Sequence, residues 1–212
     1  MQIWPVALGD DRAISLETAT GFLSDSELTR ANRFVFARDR DRYIRCRGFL
    51  RQVLADRIGA APADLQFSET GNGKPVLDDG PEFNLSHSRD EAVIALSDRG
   101  PVGVDIEFID RKLASADIAR ACFTDQECAI LDGLDGLDWQ RRFFAIWTAK
   151  EARMKLTGEG MSLAPKSITL DLEEGWPVGV LLPQRPRCTL DFIELSPQVI
   201  CCVARWAEAD TS

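Results

Sequence analysis

Two carboxylates separated by one residue are the first chemically suggestive feature of this sequence. Asp105 and Glu107 lie in residues 102–107, which have the apolar alternation of a strand. Because side chains alternate across a strand, both carboxylates point to one face, and Val104 and Ile106 point to the other. The carboxylates repel each other unless a cation lies between them, and Mg²⁺ prefers such oxygen ligands. The pair is a candidate magnesium site, although two solvated acids at a strand end would show the same spacing.

A third carboxylate shares a predicted helix with a lysine. Glu151 and Lys155 are one helical turn apart and lie on one stripe with Phe144 and Trp147. An acid beside a tryptophan is unusual on an ordinary surface helix, which strengthens the case for a metal and phosphate site. The alternative is a simple Glu-to-Lys helix pair worth about 0.3 to 0.5 kcal/mol.

Groups that can hold phosphate come shortly before the acidic strand. Lys74 stands between Gly73 and Pro75, on a restrained loop that a ligand can approach closely. Ser86 and His87 can each donate a hydrogen bond to a phosphate oxygen. His87 is the one histidine of the chain, and a lone histidine is also common as a structural residue. The combination of cations, donors and acids fits a pyrophosphate bound through a metal and through direct contacts.

Hydrophobic spacing and turn signals predict the elements that must position these groups. A capping-box pattern from Ser24 to Glu27 begins the first predicted helix, and a second one runs from Thr124 to Glu127. Further helices are predicted at about residues 38–58, 116–122, 125–131 and 139–156, and strands at about 83–86, 92–97, 102–107 and between 168 and 204. Helix then strands, followed by helices then strands, indicates two α+β halves.

Composition narrows the function classes. A net charge of −9 argues against a general nucleic-acid binder, yet the stretch Arg30–Arg57 holds nine arginines and three acids. Such a basic patch suits a small polyanion or an acidic partner. No apolar run is long enough to span a bilayer and no leader is evident, so we expect a cytoplasmic protein without a membrane partner. The six cysteines form no metal-binding pattern and are expected to be buried reduced thiols.

The order of these motifs resembles that of the Sfp-type 4′-phosphopantetheinyl transferases, the enzymes that activate carrier proteins. The similarity extends from about Arg30 to Ser162 and is carried by Gly73-Lys74-Pro75, residues 83–88, residues 102–107, residues 147–155 and Gly158-Glu159-Gly160. It implies an α+β fold of two similar halves with pseudo-twofold symmetry, and coenzyme A bound in the cleft between them. We place the halves at residues 1–102 and 103–212.

The resemblance also implies a reaction and its residues. A serine of an apo carrier protein attacks the β-phosphate of coenzyme A, and adenosine 3′,5′-bisphosphate leaves. Glu27 stands where some family members have a lysine, so this chain departs from the family pattern at that position. By motif, Mg²⁺ is expected at Asp105, Glu107 and Glu151, coenzyme A at Arg30, Arg42, Arg47, Lys74, Ser86 and His87, and the charge of the leaving bisphosphate at Lys155.

The proton acceptor for the serine hydroxyl stays open at this point. A serine is a weak nucleophile at neutral pH, so a carboxylate must take its proton directly or through a metal-bound water. Glu151 is one candidate. Glu127 is the other, because residues 123–127 are similar to the family segment suspected of deprotonating or orienting the serine. Its capping-box role is the alternative.

Two other functions use some of the same residues. A metal-dependent nuclease needs an acidic pair and a lysine, but the acidic surface disfavours DNA. A binding module could keep the coenzyme A pocket without turnover, although the expected residue type fills every matched catalytic position. We therefore expect an enzyme whose partners are coenzyme A and an apo acyl or peptidyl carrier protein, without nucleic acid. A chain with two halves of this kind is expected to act as a monomer.

Overall fold

The computed structural model describes residues 1–110, 112–182 and 187–207, and two successive groups of elements account for the α-helices and strands there. The first group contains β1 (Gln2–Ala7), α1 (Leu16–Phe22), α2 (Asp25–Ala31), α3 (Ala37–Ile58), β2 (Phe67–Glu69), β3 (Pro75–Leu77), β4 (Glu82–Ser88) and β5 (Glu91–Ser97). The second contains β6 (Val102–Phe108), α4 (Ala116–Cys122), α5 (Asp125–Asp132), α6 (Gly136–Thr157), β7 (Thr169–Glu173), β8 (Trp176–Leu181), β9 (Cys188–Ile193) and β10 (Val199–Trp206).

Both groups follow one order, a strand, two short helices, one long helix and four strands, and the predicted α+β class is confirmed. The boundary that we predicted between residues 102 and 103 falls after the first residue of β6. The halves differ in their sheets. The second half has one sheet of order β6-β10-β9-β8-β7, whereas the first has a sheet of order β1-β5-β4 and a separate β2-β3 hairpin.

Local signals explain the helices. Ser24 and Glu27 make both bonds of a capping box at the start of α2, and Thr124 and Glu127 do the same for α5. The long helices α3 and α6 both end at a glycine with left-handed backbone angles, which a residue without a side chain adopts at little cost. These bounds agree closely with the predicted helices at 38–58 and 139–156.

The junction between the halves is apolar on one face of β6 and very tight on the other. Val102, Val104 and Ile106 are buried in a cluster with residues of β5 and β10. On the opposite face, Gly103 lies against α6, where an added Cβ would come within 2.1 Å of the Ala152 carbonyl oxygen. The strand that carries Asp105 and Glu107 is therefore pressed directly onto the helix that carries Glu151 and Lys155.

All six cysteines are free thiols, as expected, and four of them are buried. Burial raises the pKa of the Cys46 and Cys188 thiols to about 11, which keeps them protonated and unreactive at neutral pH. Among the described residues, no helix combines the length and the apolar character that crossing a membrane requires.

Candidate active site

Strands β4 and β6 run side by side at the junction and are joined by side chains of β4. Asn84 Oδ1 accepts a hydrogen bond from the backbone N–H of Val104 at 2.9 Å. Four residues along, Ser88 Oγ accepts one from the N–H of Phe108 at 3.2 Å. The two strands are thus held in register by side-chain oxygens that take the place of backbone carbonyls.

Asp105 is buried in this junction, with 4% of its surface exposed. Its Oδ1 accepts hydrogen bonds from Ser86 Oγ at 2.9 Å and from Lys155 Nζ at 2.7 Å, and Lys155 also donates to Ser86 at 2.8 Å. Asp105 Oδ2 is buried as well but has no hydrogen-bond partner among the described residues. An unpaired buried carboxylate oxygen is costly, so this atom marks a place that suits a cation.

Two further carboxylates, Glu107 and Glu151, are half-buried and close enough to Asp105 to feel its charge. Burial, and then the charge of Asp105, raises the pKa of Glu107 to about 7 and also raises the pKa of Glu151. We call Asp105, Glu107 and Glu151 the acidic cluster. Among the described residues, Lys155 supplies the only ammonium that is paired with it, so ionisation of all three acids leaves two negative charges without a partner. Carboxylate oxygens with that deficit fit a hard divalent cation such as Mg²⁺.

The geometry of the acidic cluster is not that of an assembled metal site. Within the described ranges, no group of three histidine, cysteine, aspartate or glutamate side chains converges closely enough to hold an ion as it stands. The residues therefore fit a divalent cation by donor type and by charge.

A basic cleft of about 490 Å³ opens beside this cluster. Its walls include Arg30 from α2, Arg47 and Arg51 from α3, and His87 from β4, directly after Ser86. All of its lining residues belong to the first half. The resemblance implies coenzyme A between the halves, and this stays a prediction. The cleft itself is lined by the first half, and the acidic cluster beside it lies at the junction.

Arg42 and His87 line a smaller recess of about 230 Å³ next to the cleft. Arg42 is held by Asp39 at 3.1 Å and by Asp90 at 2.6 Å. Much of the His87 ring is exposed, but the surrounding walls remove part of its water. That desolvation, followed by the positive charges of Lys155 and Arg42, lowers the pKa of His87. His87 lines both cavities, so it stands at the border between them.

Lys74 lies on the β2-β3 hairpin where the hairpin meets the end of α6. There Asn72 Nδ2 donates a hydrogen bond to the carbonyl oxygen of Gly158 at 2.9 Å. Lys74 Nζ is 4.0 Å from Glu82 Oε2, and burial lowers the pKa of Lys74. The residues on either side of Lys74 line the cleft.

Glu27 is part of the cleft wall and engages two of its arginines. Its Oε1 lies 2.7 Å from Arg47 Nη2, and its Oε2 lies 2.7 Å from Arg51 Nε. Burial by itself would raise the pKa of Glu27, but the arginines and the backbone N–H of Ser24 outweigh it and lower the pKa. Arg51, with 2% of its side chain exposed, is fixed further by two backbone carbonyl oxygens.

Glu127 occupies the corresponding place in the second half. Its Oε2 lies 2.8 Å from Lys150 Nζ and accepts the Thr124 N–H at 2.8 Å, and its Oε1 accepts the Leu170 N–H at 3.4 Å. The side chain is 1% exposed. Glu127 forms the capping box, and its carboxylate is enclosed in an internal ion pair.

The predicted site residues thus occupy distinct places. Ser86, expected on phosphate, is 6% exposed, and its hydroxyl is engaged by Asp105 and Lys155 instead of facing the cleft. At the junction the structure brings together Ser86, Asp105, Glu107, Glu151 and Lys155. The cleft wall carries Arg30, Arg47 and His87, and the recess carries Arg42. Lys74 lies at the end of α6, and Glu127 is enclosed in the second half.

Two important residues were missed from the sequence. Arg51 and Lys150 lie within the long helices and bind the capping-box glutamates of their own halves. A signal was present, since each is a basic residue in a predominantly apolar part of a helix, at nearly the same distance from its glutamate. Only their burial shows that the basic groups turn inward.

Each half of the chain matches a family of known proteins. Residues 101–204 match the 4′-phosphopantetheinyl transferase superfamily, and residues 12–99 match the description "4′-phosphopantetheinyl transferase, N-terminal". A holo-(acyl-carrier-protein) synthase of Bacillus anthracis str. Ames, solved in complex with coenzyme A, has a TM-score of 0.42 and 21% identity over 49% of this chain and 92% of that one. That structural likeness is too low to support any conclusion.

Several curated proteins are similar over most of the chain. HetI, a 4′-phosphopantetheinyl transferase of Nostoc sp. PCC 7120, is 35% identical over 76% of this chain and 70% of its own length. The Bacillus subtilis 4′-phosphopantetheinyl transferases ffp and Sfp are 32% and 30% identical, over 92% and 88% of this chain and 89% and 85% of their own lengths. With both halves matched and relatives of this identity over most of their length, the chain is an enzyme of the 4′-phosphopantetheinyl transferase superfamily.

Proposed function

We propose that this enzyme transfers the 4′-phosphopantetheine arm of coenzyme A to a serine of an apo acyl or peptidyl carrier protein. The serine oxygen forms a bond to the β-phosphorus, the bond from that phosphorus to the bridging oxygen breaks, and adenosine 3′,5′-bisphosphate leaves. One observation carries the proposal: a buried acidic cluster with an unpaired Asp105 oxygen lies directly beside a cleft rich in arginine.

Asp105, Glu107 and Glu151 would hold Mg²⁺. The unpaired Asp105 Oδ2 and the raised pKa values of the two glutamates support this, because each indicates negative charge that lacks a partner. When bound, the ion would neutralise and orient the pyrophosphate. Ser86, whose hydroxyl bonds both Asp105 and Lys155, would keep these two groups in place.

The cations around the cleft would bind the phosphates of coenzyme A. Arg30, Arg47 and His87 line the cleft and Arg42 lines the adjoining recess, so between them they would hold the nucleotide end. Lys74 and Lys155 lie nearer the junction and would neutralise the charge that develops on the leaving bisphosphate. Phosphoryl transfer depends mainly on such positioning and charge stabilisation.

Glu151 is the residue that we propose as proton acceptor for the carrier serine. It is half-buried and close enough to Asp105 to feel its charge, so it offers a carboxylate at the junction that can accept the serine proton. We do not assign the role of proton acceptor to Glu127, because Lys150 and two backbone N–H groups already enclose its carboxylate.

The test is to mix the enzyme with coenzyme A, Mg²⁺ and a purified apo carrier protein and to detect the added arm by mass spectrometry. Asp105→Ala and Glu151→Ala should each abolish transfer while keeping a cooperative thermal transition. Near-normal turnover of either variant would contradict the metal assignment. DNA incubated with the enzyme and Mg²⁺ should stay intact, whereas cleavage would favour the nuclease alternative.

We also propose that the enzyme acts as a monomer in the cytoplasm. One chain supplies both strands and the helix of the acidic cluster, which supports the monomer. Six free cysteines are typical of a reducing compartment. Light scattering during gel filtration should give one chain's mass, and a stable dimer would contradict the first part of this proposal.

A further inference from the structure

We infer that Ser88 is a positioning residue that orients Glu107 for the divalent cation. The inference rests on the metal site proposed above. It assigns a specific task to a hydroxyl that lies outside both the cleft and the acidic cluster itself.

The contacts of Ser88 determine where its proton points. Ser88 Oγ lies 3.2 Å from the backbone nitrogen of Phe108 and 3.0 Å from Glu107 Oε2. A backbone N–H can only donate, so the Ser88 oxygen accepts in the first contact. A hydroxyl has one proton, and that proton is left for Glu107. The glutamate therefore accepts a hydrogen bond whose direction is fixed by the strand behind it.

Glu107 depends on this bond for its orientation. Its side chain is half-buried, and the bond from Ser88 is the only hydrogen bond that the described residues give to its carboxylate. The equivalent carboxylate two residues earlier, Asp105, receives hydrogen bonds from both Ser86 and Lys155. Of the two acids on β6, Glu107 has the longer side chain and the fewer restraints.

Side chains of β4 bind β6 in two ways, some through a carboxylate and one through the backbone only. Ser86 and Ser88 each donate to the carboxylate that faces them on β6, namely Asp105 and Glu107. Asn84 binds the same strand through a backbone N–H, and among the described residues it makes no hydrogen bond to a carboxylate. Asn84 is thus an internal control, because it joins β4 to β6 without such a bond to an acidic side chain.

Removal of a hydrogen bond that orients a metal ligand typically lowers metal affinity by about 10- to 100-fold. The test uses Mn²⁺ as the probe, titrated into the enzyme without coenzyme A and followed by electron paramagnetic resonance. Ser88→Ala should raise the Kd for Mn²⁺ by about 10-fold, and Ser88→Thr, which restores a hydroxyl, should recover most of the affinity.

Two controls distinguish orientation from general weakening of the junction. Asn84→Ala should lower the melting temperature but leave the Kd for Mn²⁺ within about twofold. In a Glu107→Gln background, Ser88→Ala should change the Kd little, because the two changes act through one ligand. If Ser88→Ala does not fold, Ser88→Cys, with its weak S–H donor, should still raise the Kd.

The outcomes separate this inference from the proposed function. If the wild-type enzyme binds Mn²⁺ and Ser88→Ala binds it equally well, the positioning role is wrong and the metal site stands. An effect of Asn84→Ala as large as that of Ser88→Ala would also overturn the positioning role. If the wild-type enzyme does not bind Mn²⁺ and transfers no phosphopantetheine with Mg²⁺, the proposed function itself fails.

Discussion

In the first half of the molecule Glu27 is paired with two arginines on the wall of a cleft, whereas in the second half Glu127 is paired with one lysine inside a filled core. Both glutamates complete a capping box, and both bind a cation from the long helix of their own half. The same arrangement, a capping-box glutamate paired with a cation of the long helix, therefore lies beside a cleft in the first half and inside the core in the second.

The surroundings explain the difference. In the second half the rings of Trp139 and Trp147 stack on Phe143, and Phe123 lies beneath Lys150, so aromatic groups fill the interior. In the first half the β2-β3 hairpin is separate from the main sheet and forms a wall of the cleft. The second half thus closes its interior around this pair, whereas the first half leaves a cleft for the ligand that we propose.

The largest expected effect is a loss of stability on breaking the buried pair of Glu127 and Lys150. Glu127→Gln should lower the free energy of unfolding by about 3 to 5 kcal/mol, because it leaves Lys150 buried without a charged partner. Chemical denaturation measures this change. The double variant Glu127→Leu, Lys150→Met is the control and should recover most of the stability. A stable Glu127→Gln variant that has lost transfer would instead make Glu127 the proton acceptor.

The matched change in the open half should cost less stability and alter binding. Glu27→Gln should lower the free energy of unfolding by about 3 kcal/mol, at the low end of the range for a broken buried pair. The buried Arg51 loses its charged partner, whereas Arg47 can turn to water in the cleft. The freed arginine should then lower the KM for coenzyme A about threefold. Steady-state kinetics and denaturation on the same sample check both effects. An unchanged KM would show that Arg47 does not face the ligand.

A smaller effect is expected at the border of the cleft. His87→Ala should raise the KM for coenzyme A about 10-fold, the effect of one charge-assisted hydrogen bond, and should lower kcat less. A larger loss in kcat would instead indicate that His87 acts as a catalytic base.

The pH dependence of binding gives a second test of His87. Its pKa is lowered in the free enzyme, and a bound phosphate should raise it, so binding should take up a proton near neutral pH. Affinity should accordingly fall as pH rises between the pKa of the free and the bound enzyme. Calorimetry in two buffers of different ionisation enthalpy measures the proton uptake, which His87→Ala should abolish.

The smallest expected effects are changes in the free energy of unfolding with pH, which have opposite signs for Glu107 and Glu27. Glu107, with its pKa raised from 4.5 to about 7, keeps a proton that the unfolded chain has lost, so stability should fall as pH rises through this window. Glu27, with a lowered pKa, should contribute stability above its unfolded pKa that is lost on acidification. The change due to Glu107 should be on the order of 1 kcal/mol after solvent screening.

Melting temperatures of the metal-free enzyme from pH 4 to 8 would separate the two slopes. Glu107→Gln should flatten the fall toward neutral pH, and Glu27→Gln should reduce the loss at acidic pH. If Glu107→Gln leaves the slope unchanged, then the charge deficit lies elsewhere at the junction.

Much of the fold could be predicted from the sequence because its signals are local. The capping boxes, the glycines after the long helices and the strand pattern around Asp105 each fix an element without distant contacts. Four elements were not predicted: helix α1 and strands β1, β2 and β3. Strand β1 contains Pro5, which has no N–H and disfavours a strand except at an edge, where β1 lies. Helix α1 contains threonines and a glycine, and close packing of Ala19 on Gly48 of α3 holds it in place.

The candidate site could be predicted in its residue types but not in its contacts. Asp105, Glu107, Glu151 and Lys155 followed from their spacing and from the resemblance. The placement of Ser86 between Asp105 and Lys155 depends on the approach of two strands from different halves, which no local pattern encodes. Burial of Arg51 and Lys150 is likewise a long-range property.

The close contact at Gly103 has a consequence for how this enzyme can change over evolution or in the laboratory. An added methyl group would meet the carbonyl oxygen of Ala152 at 2.1 Å and the nitrogen of Leu156 at 2.4 Å, both of them backbone atoms that cannot rotate away. Any larger residue there would push the acidic strand from the helix and separate Asp105 from Glu151. Position 103 therefore sets the spacing of the acidic cluster without supplying an atom to it, and any redesign of the proposed metal site has to keep this glycine.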